Sequence, residues 1–276
     1  MNIITQPKLA LAHLSVLDVP PLELVSLAAN IGYSSIGLRL YPAFHGSVFY
    51  ELPVGSKVCQ QMQQRLKDEE VTVNDIEFIG IGEHFNVSQL QGLLETASAL
   101  GAQRLNVCGD DPDRARLTDN FAHLCELAKS YGLRVELEYM AWRAVKHFDD
   151  ALEVVVAADQ TNGGVLIDAL HLFRTGGSPQ DVHRAPPGAI SFVQLCDAVA
   201  QVPDTPETLL LEARSGRLAP GCGMLPLNEL LAELDDKAVL SLEVPTNGDL
   251  SAEKHAENIF KATQKMMAAI KAPVCL

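Results

Sequence analysis

The chain has 276 residues, with 47% hydrophobic and 20% charged residues and a formal net charge of -14. That length suits one folded unit that buries a sizeable core without disulfides. The acidic balance excludes a nucleic-acid backbone as partner, because such binding needs clustered Lys and Arg.

The first apolar run, residues 8–14, predicts a strand. A helix is expected from Pro20 and Pro21, since proline is favoured in a first helical turn. Leu24, Leu27, Ala28 and Ile31 mark its inner face, and Gly32 is its expected C-cap. The same grammar recurs in Leu90, Leu94, Ala97 and Leu100 before Gly101, and in Phe121, Leu124, Cys125 and Ala128 before Gly132. Further strands are expected near residues 35–40, 71–79, 103–108, 133–139, 164–168, 190–195 and 238–243. A last helix, Ala252 to Ile270, closes the series. Eight strands alternating with helices predict an α/β fold, a single (β/α)8 barrel over residues 1–276. An open doubly wound sheet would show a similar alternation, but its usual glycine-rich turn after the first strand is missing. The stretch from Asp197 to Met224 is read as an active-site loop after the seventh strand.

The N-terminus has no charged head followed by a long apolar run, and no stretch reaches the roughly 20 apolar residues that span a bilayer. The six cysteines show no Cys-x-x-Cys pairing and read as reduced thiols. The expectation is a cytoplasmic protein with no membrane or nucleic-acid partner, capable of forming a homo-oligomer.

Strand parity then selects the polar residues that matter, because barrel chemistry sits at the C-terminal strand ends. In Leu133-Arg134-Val135-Glu136-Leu137-Glu138 the apolar residues must pack on the helices, so Glu136 and Glu138 point inward. In Val239-Leu240-Ser241-Leu242-Glu243 the inward pair is Ser241 and Glu243. Gln194 shares parity with Phe192, and the sixth strand ends on Asp168. Three carboxylates and an amide converging at one rim would repel unless a cation compensates. A divalent metal held by Glu138, Asp168, Gln194 and Glu243 is the expected solution.

The stretches Val135–Glu138, Gly164–His171, Phe192–Asp197, Arg217–Gly223 and Leu240–Glu243 resemble the xylose-isomerase-like TIM-barrel superfamily. That superfamily includes sugar isomerases and epimerases, inosose dehydratases, 3-dehydroshikimate dehydratases and family 2 AP endonucleases. The resemblance implies that Glu138, Asp168 and Glu243 are metal ligands, and that the fourth, usually a histidine, is here Gln194. An all-oxygen shell favours Mn2+ or Mg2+, with Zn2+ or Co2+ as alternatives. Some bacterial 3-dehydroshikimate dehydratases resemble the chain in having glutamine there. The resemblance also implies that His171 contacts substrate; a loop histidine capping backbone groups is the bland alternative.

Arg217 is a candidate clamp for a substrate carboxylate or phosphate, with a surface ion pair to Glu212 or Asp197 as the alternative. Arg39 is a weaker candidate for that task. His13 and Trp142 are candidate substrate-binding residues, although a core histidine and ordinary packing explain them equally well. Asp197 is expected to support Arg217, and Glu77 to be structural. No base accompanies Cys108, Cys196 or Cys222, so a cysteine nucleophile is rejected. The leading expectation is a metal-dependent isomerase or epimerase of a sugar, sugar phosphate or polyol, with Glu138 and Glu243 as acid–base pair. The alternatives are a lyase dehydrating a cyclic keto-acid such as 3-dehydroshikimate, and a non-catalytic barrel that binds small molecules.

Overall fold

A computed structural model describes residues 8–270. Eight parallel strands close on one another in chain order, so every strand pairs with its sequence neighbours and the first with the last. They are β1 (Leu9–Leu11), β2 (Ser35–Arg39), β3 (Thr72–Ile81), β4 (Arg104–Gly109), β5 (Arg134–Glu138), β6 (Gly163–Asp168), β7 (Phe192–Leu195) and β8 (Val239–Leu242). The expected (β/α)8 barrel is therefore the fold. Only the first strand departs much from expectation. It stops at Leu11, and His13–Val16 turns as a 3-10 helix.

The helices outside the ring are α1 (Pro21–Ile31), α2 (Lys57–Asp68), α3 (Gln91–Ala99), α4 (Arg114–Lys129), α5 (Phe148–Ala158), α6 (Ala169–Arg174), α7 (Pro206–Leu211), α8 (Leu227–Glu233) and α9 (Ala252–Ile270). Local chemistry sets their ends. Pro21 opens α1, and Gly32 at φ 109° closes it while donating to the carbonyls of Ala28 and Ala29. Asp113 caps α4 by accepting from the Arg116 amide. Leu117, Phe121, Leu124, Cys125 and Ala128 are the buried stripe of α4, and Ala256, Ile259, Phe260 and Thr263 that of α9. Both stripes follow the three-or-four spacing that puts side chains on one helical face.

The inside of the ring is unusually polar in its lower half. Arg104 lies against Glu136, and Arg134 Nε donates to Glu136 Oε1 at 2.8 Å. Ser191 also donates to Glu136. Asn74 and Asn106 donate to the two oxygens of Asp75 at 2.7 and 2.8 Å, and Arg104 donates to Asn74. Burial and the nearby Glu77 push the Asp75 carboxyl up to about 7. Barrels usually fill this space with branched aliphatic layers; here polar groups do so, and the C-terminal end of the ring rests on them.

Candidate active site

The residues selected by strand parity meet at the C-terminal end of the ring. β6 and β7 pair Asp168 with Gln194, while Gln194 lies beside Ser241 of β8. Glu138 ends β5, and Glu243 follows β8. Glu138, Asp168, Gln194 and Glu243 are all buried. Glu138, Gln194 and Glu243 border a cavity of about 110 Å³ whose lining also includes His171, Arg217 and Trp142.

Arg217 is the feature that the sequence did not place. Its side chain is 2% exposed, and Nη1 lies 2.5 Å from Asp168 Oδ2. Nη2 lies 3.2 Å from Glu243 Oε2, and Nε donates to the carbonyl of Ala213 at 2.9 Å. Burial works against this charge, but Asp168, Cys196 and Glu243 outweigh it and hold the guanidinium proton more tightly than usual. The surface partners considered from sequence are engaged elsewhere. Glu212 pairs with Arg174 at 2.7 Å. Asp197 accepts the amides of Ala198, Gly221, Gly223 and Leu225, and so shapes the loop itself.

The carboxyls differ as a result. Burial opposes charge on Asp168, yet Arg217 and His171 hold its carboxyl below the usual range. It also accepts the His171 amide at 3.0 Å, which caps the short α6. Burial pushes Glu243 up to about 8 despite Arg217. Glu138 is raised well above its ordinary value by burial and by the neighbouring Glu243 and Asp168. Its Oε1 faces His171 Nε2 at 3.6 Å, too long for a hydrogen bond. Burial lowers His171 to about 4, so at neutral pH the ring is an uncharged imidazole. The indole of Trp142 stands edge-on to that ring at 5.2 Å.

These residues fit a divalent cation. Glu138, Asp168 and His171 each offer one ligand atom within 4.8 Å of the others. Gln194 donates its amide to Glu243 at 2.7 Å, while its own Oε1 is buried without a partner. A buried amide oxygen with no donor is costly, and a cation would satisfy it. Three carboxylates opposed by one guanidinium leave a formal charge that a single divalent ion would balance. His171 stands within reach of this cluster, beside the oxygen donors of Gln194 and Glu243; its spacing of three from Asp168, across a helix cap, is the signal.

The remaining candidates divide. His13 is wholly buried and stacks on Tyr50 at 5.2 Å. Its Nδ1 accepts from the Arg39 amide at 3.0 Å and its Nε2 bonds the carbonyl of Val19 at 2.9 Å. Both ring nitrogens are thus used inside the fold. Glu77 accepts from Arg39 Nη2 at 2.9 Å and from the His13 amide. Tyr139 packs edge-on against Phe148 and is fully buried. Burial pushes Cys108 up to about 12 and raises Cys196 as well, so neither is a ready nucleophile. Among the described residues no helix is long and apolar enough to cross a membrane.

Comparison with known proteins gives the context. The model of the xylose isomerase-like TIM barrel matches residues 25–270. The chain is 30% identical over 183 residues to a 3-dehydroshikimate dehydratase of Pseudomonas aeruginosa; the match covers 63% of the chain but only 28% of that protein. It is 27% identical over 197 residues to an inosose isomerase of Halalkalibacterium halodurans, covering 66% of the chain and 68% of that protein. Among solved structures, the IOLI protein with a bound zinc atom superposes with a TM-score of 0.77 at 19% identity, over 96% of the chain and 99% of its own. These two curated relatives carry the names of enzymes acting on small molecules, one a dehydratase and one an isomerase.

Proposed function

From a chain that belongs to the xylose isomerase-like TIM-barrel family, we propose a divalent-metal-dependent lyase that removes water from a small cyclic hydroxy-ketone. The observation that carries this reading is His171, whose ring lines the cavity with no side-chain hydrogen bond of its own among the described residues. His171 is a neutral imidazole at neutral pH and faces Glu138 without a short hydrogen bond. Glu243, across the site, already accepts from Gln194 and meets Arg217. Epimerisation needs a group on each face of the substrate, whereas elimination of water from one face needs one.

Glu138, Asp168, Gln194 and Glu243 would hold the cation, leaving the adjacent His171 ring outside the shell, and their all-oxygen character favours Mn2+ or Mg2+. When bound, the cation would polarise the substrate carbonyl and offset the negative charge that develops there. His171 accepts the proton from the carbon beside that carbonyl. The electron pair forms the new C=C bond as the β-hydroxyl departs, and the same imidazole returns the proton to it, releasing water. Asp168 fixes the position of His171 through its backbone amide. Trp142 sets the ring's edge and supplies an apolar wall. Arg217 keeps Asp168 ionised and in place.

The second reading is an isomerase or epimerase of a sugar or polyol. It is favoured by the inosose isomerase relative, whose match spans two thirds of both chains. Incubation with Mn2+ and 3-dehydroshikimate in D2O separates the two. A new conjugated ultraviolet band supports the lyase. Deuterium incorporation without loss of water would sink it and favour isomerisation.

A further inference from the structure

The chain carries 35 acidic and 21 basic residues, yet four arginines border the cavity. Arg39, Arg143, Arg214 and Arg217 all border it, with no lysine among its lining residues. Arg217 is spent on Asp168 and Glu243. The other three are not fully used. Arg39 gives Nη2 to Glu77, but its Nε is buried without an acceptor. Arg143 gives Nη1 to Asp110 at 2.6 Å, and its Nε is likewise buried and unpaired. Buried N–H groups without acceptors are uncommon in folded proteins and call for a missing partner.

Arg214 supplies the unmatched charge. It has no carboxylate within ion-pair distance among the described residues, and its guanidinium lies over the Phe44 ring at 5.3 Å. A solvated surface arginine would be the ordinary explanation, since the residue is exposed. Its placement argues otherwise. Leu210, Ala213, Arg214 and Arg217 all line the cavity. The π-turn Glu212–Gly216 carries Arg214, and such turns are frequent at functional sites.

We propose that Arg214 anchors an anion subsite of this cavity as its specificity-determining residue, with Arg39 and Arg143 supplying buried donors from its walls. The substrate would then carry an anionic oxygen group that meets Arg214 and neutral oxygens that meet the buried carboxylates. A carboxylate on a ring acid and the phosphate of a sugar phosphate share this chemistry, and both suit the fork of a guanidinium. The lyase reading favours the carboxylate, and the proposal rests on that reading for this choice alone.

The chain has a single tryptophan, and Trp142 lines the cavity, so its fluorescence reports occupancy without turnover. The probes are shikimate, its methyl ester, glucose 6-phosphate and glucose, titrated into wild type, Arg214→Gln and Arg214→Lys with Mn2+ present. A hydrogen bond to a charged group is worth roughly 1.5–3 kcal/mol, or about 10–100-fold in affinity. Wild type should therefore bind shikimate at least about tenfold tighter than the ester. Arg214→Gln should lose most of that ratio, and Arg214→Lys should keep part of it. Preference for glucose 6-phosphate over shikimate would support the anion subsite and assign it to phosphate, against the lyase reading. Equal binding of acid and ester by wild type, an unchanged ratio in Arg214→Gln, or no binding of any probe would overturn the proposal. Selective binding of the acid without dehydration of 3-dehydroshikimate would leave the subsite standing and remove the lyase.

Discussion

Replacing Arg217 with methionine tests the electrostatic centre of the site. Methionine keeps much of the length of the side chain and discards the guanidinium. The lost contacts are those at 2.5 Å to Asp168 and 3.2 Å to Glu243, where the three side chains are 2%, 0% and 7% exposed. Removing one member of a buried ion pair costs about 3–5 kcal/mol, because the partner keeps its desolvation penalty. For a chain of this size a kilocalorie corresponds to roughly 2–4 °C, so the metal-free variant should melt about 6–20 °C below wild type. The same reasoning gives Mn2+ a larger stabilising effect on the variant, since the cation then supplies the only local compensation for Glu138, Asp168 and Glu243. Thermal unfolding in EDTA and at graded Mn2+ measures both quantities. Equal melting temperatures in EDTA, or equal Mn2+ stabilisation of the two proteins, would refute the assignment of Arg217 as the internal counter-charge.

Four further outcomes are expected. His171→Gln should lower kcat by about 10²–10⁴ with the metal content unchanged, as for loss of a general base; retained turnover in a steady-state assay would remove His171 from the chemistry. Gln194→His should move metal preference toward Zn2+, read by elemental analysis after reloading from a Mn2+/Zn2+ mixture, and an unchanged ratio would argue that Gln194 is no ligand. Chelation should abolish activity and Mn2+ should restore it, while activity that persists in EDTA would contradict a metal requirement. Asp75 gives a pH prediction: its folded carboxyl titrates at about 7, so this group's contribution falls as pH rises from about 4 to about 7 and is level above. Three units at 1.36 kcal/mol set an upper scale of about 4 kcal/mol. Urea unfolding of Asp75→Asn should therefore show a gain over wild type that is larger at pH 8 than at pH 5, and equal gains would defeat the argument.

Much of the barrel was readable before any coordinates, because inside–outside alternation and helix punctuation are local properties. Glu138 and Glu243 could be placed from parity alone. Asp168 could not, since β6 is apolar around it, and its place rested on the resemblance. What stayed hidden were pairings between distant segments. Nothing local says that Arg217 reaches Asp168, 49 positions away, or that Arg39 meets Glu77. His13 was read as the end of a strand because the apolar run continues through it, whereas the chain turns there and the ring is absorbed by Val19 and Arg39. Nothing local distinguishes Arg214 from a solvated loop arginine, because its place at the cavity depends on the π-turn that carries it.

Asp197 has a consequence for traffic through the mouth. Its carboxylate gathers the amides of Gly221, Gly223 and Leu225, and the loop is stitched to it by paired backbone hydrogen bonds with Leu218. Gly223 passes so close to Asp197 and to the carbonyl of Ala198 that a side chain there would collide with both. This bank of the entrance is moored. The segment from Tyr41 to Ser56 has no helix or strand and leaves Phe44, Val48 and Phe49 exposed. The loop after β7 thus holds Arg214 and Arg217 at the entrance, and the segment after β2 meets it there through Phe44, so a change in either loop alters the door of the cavity.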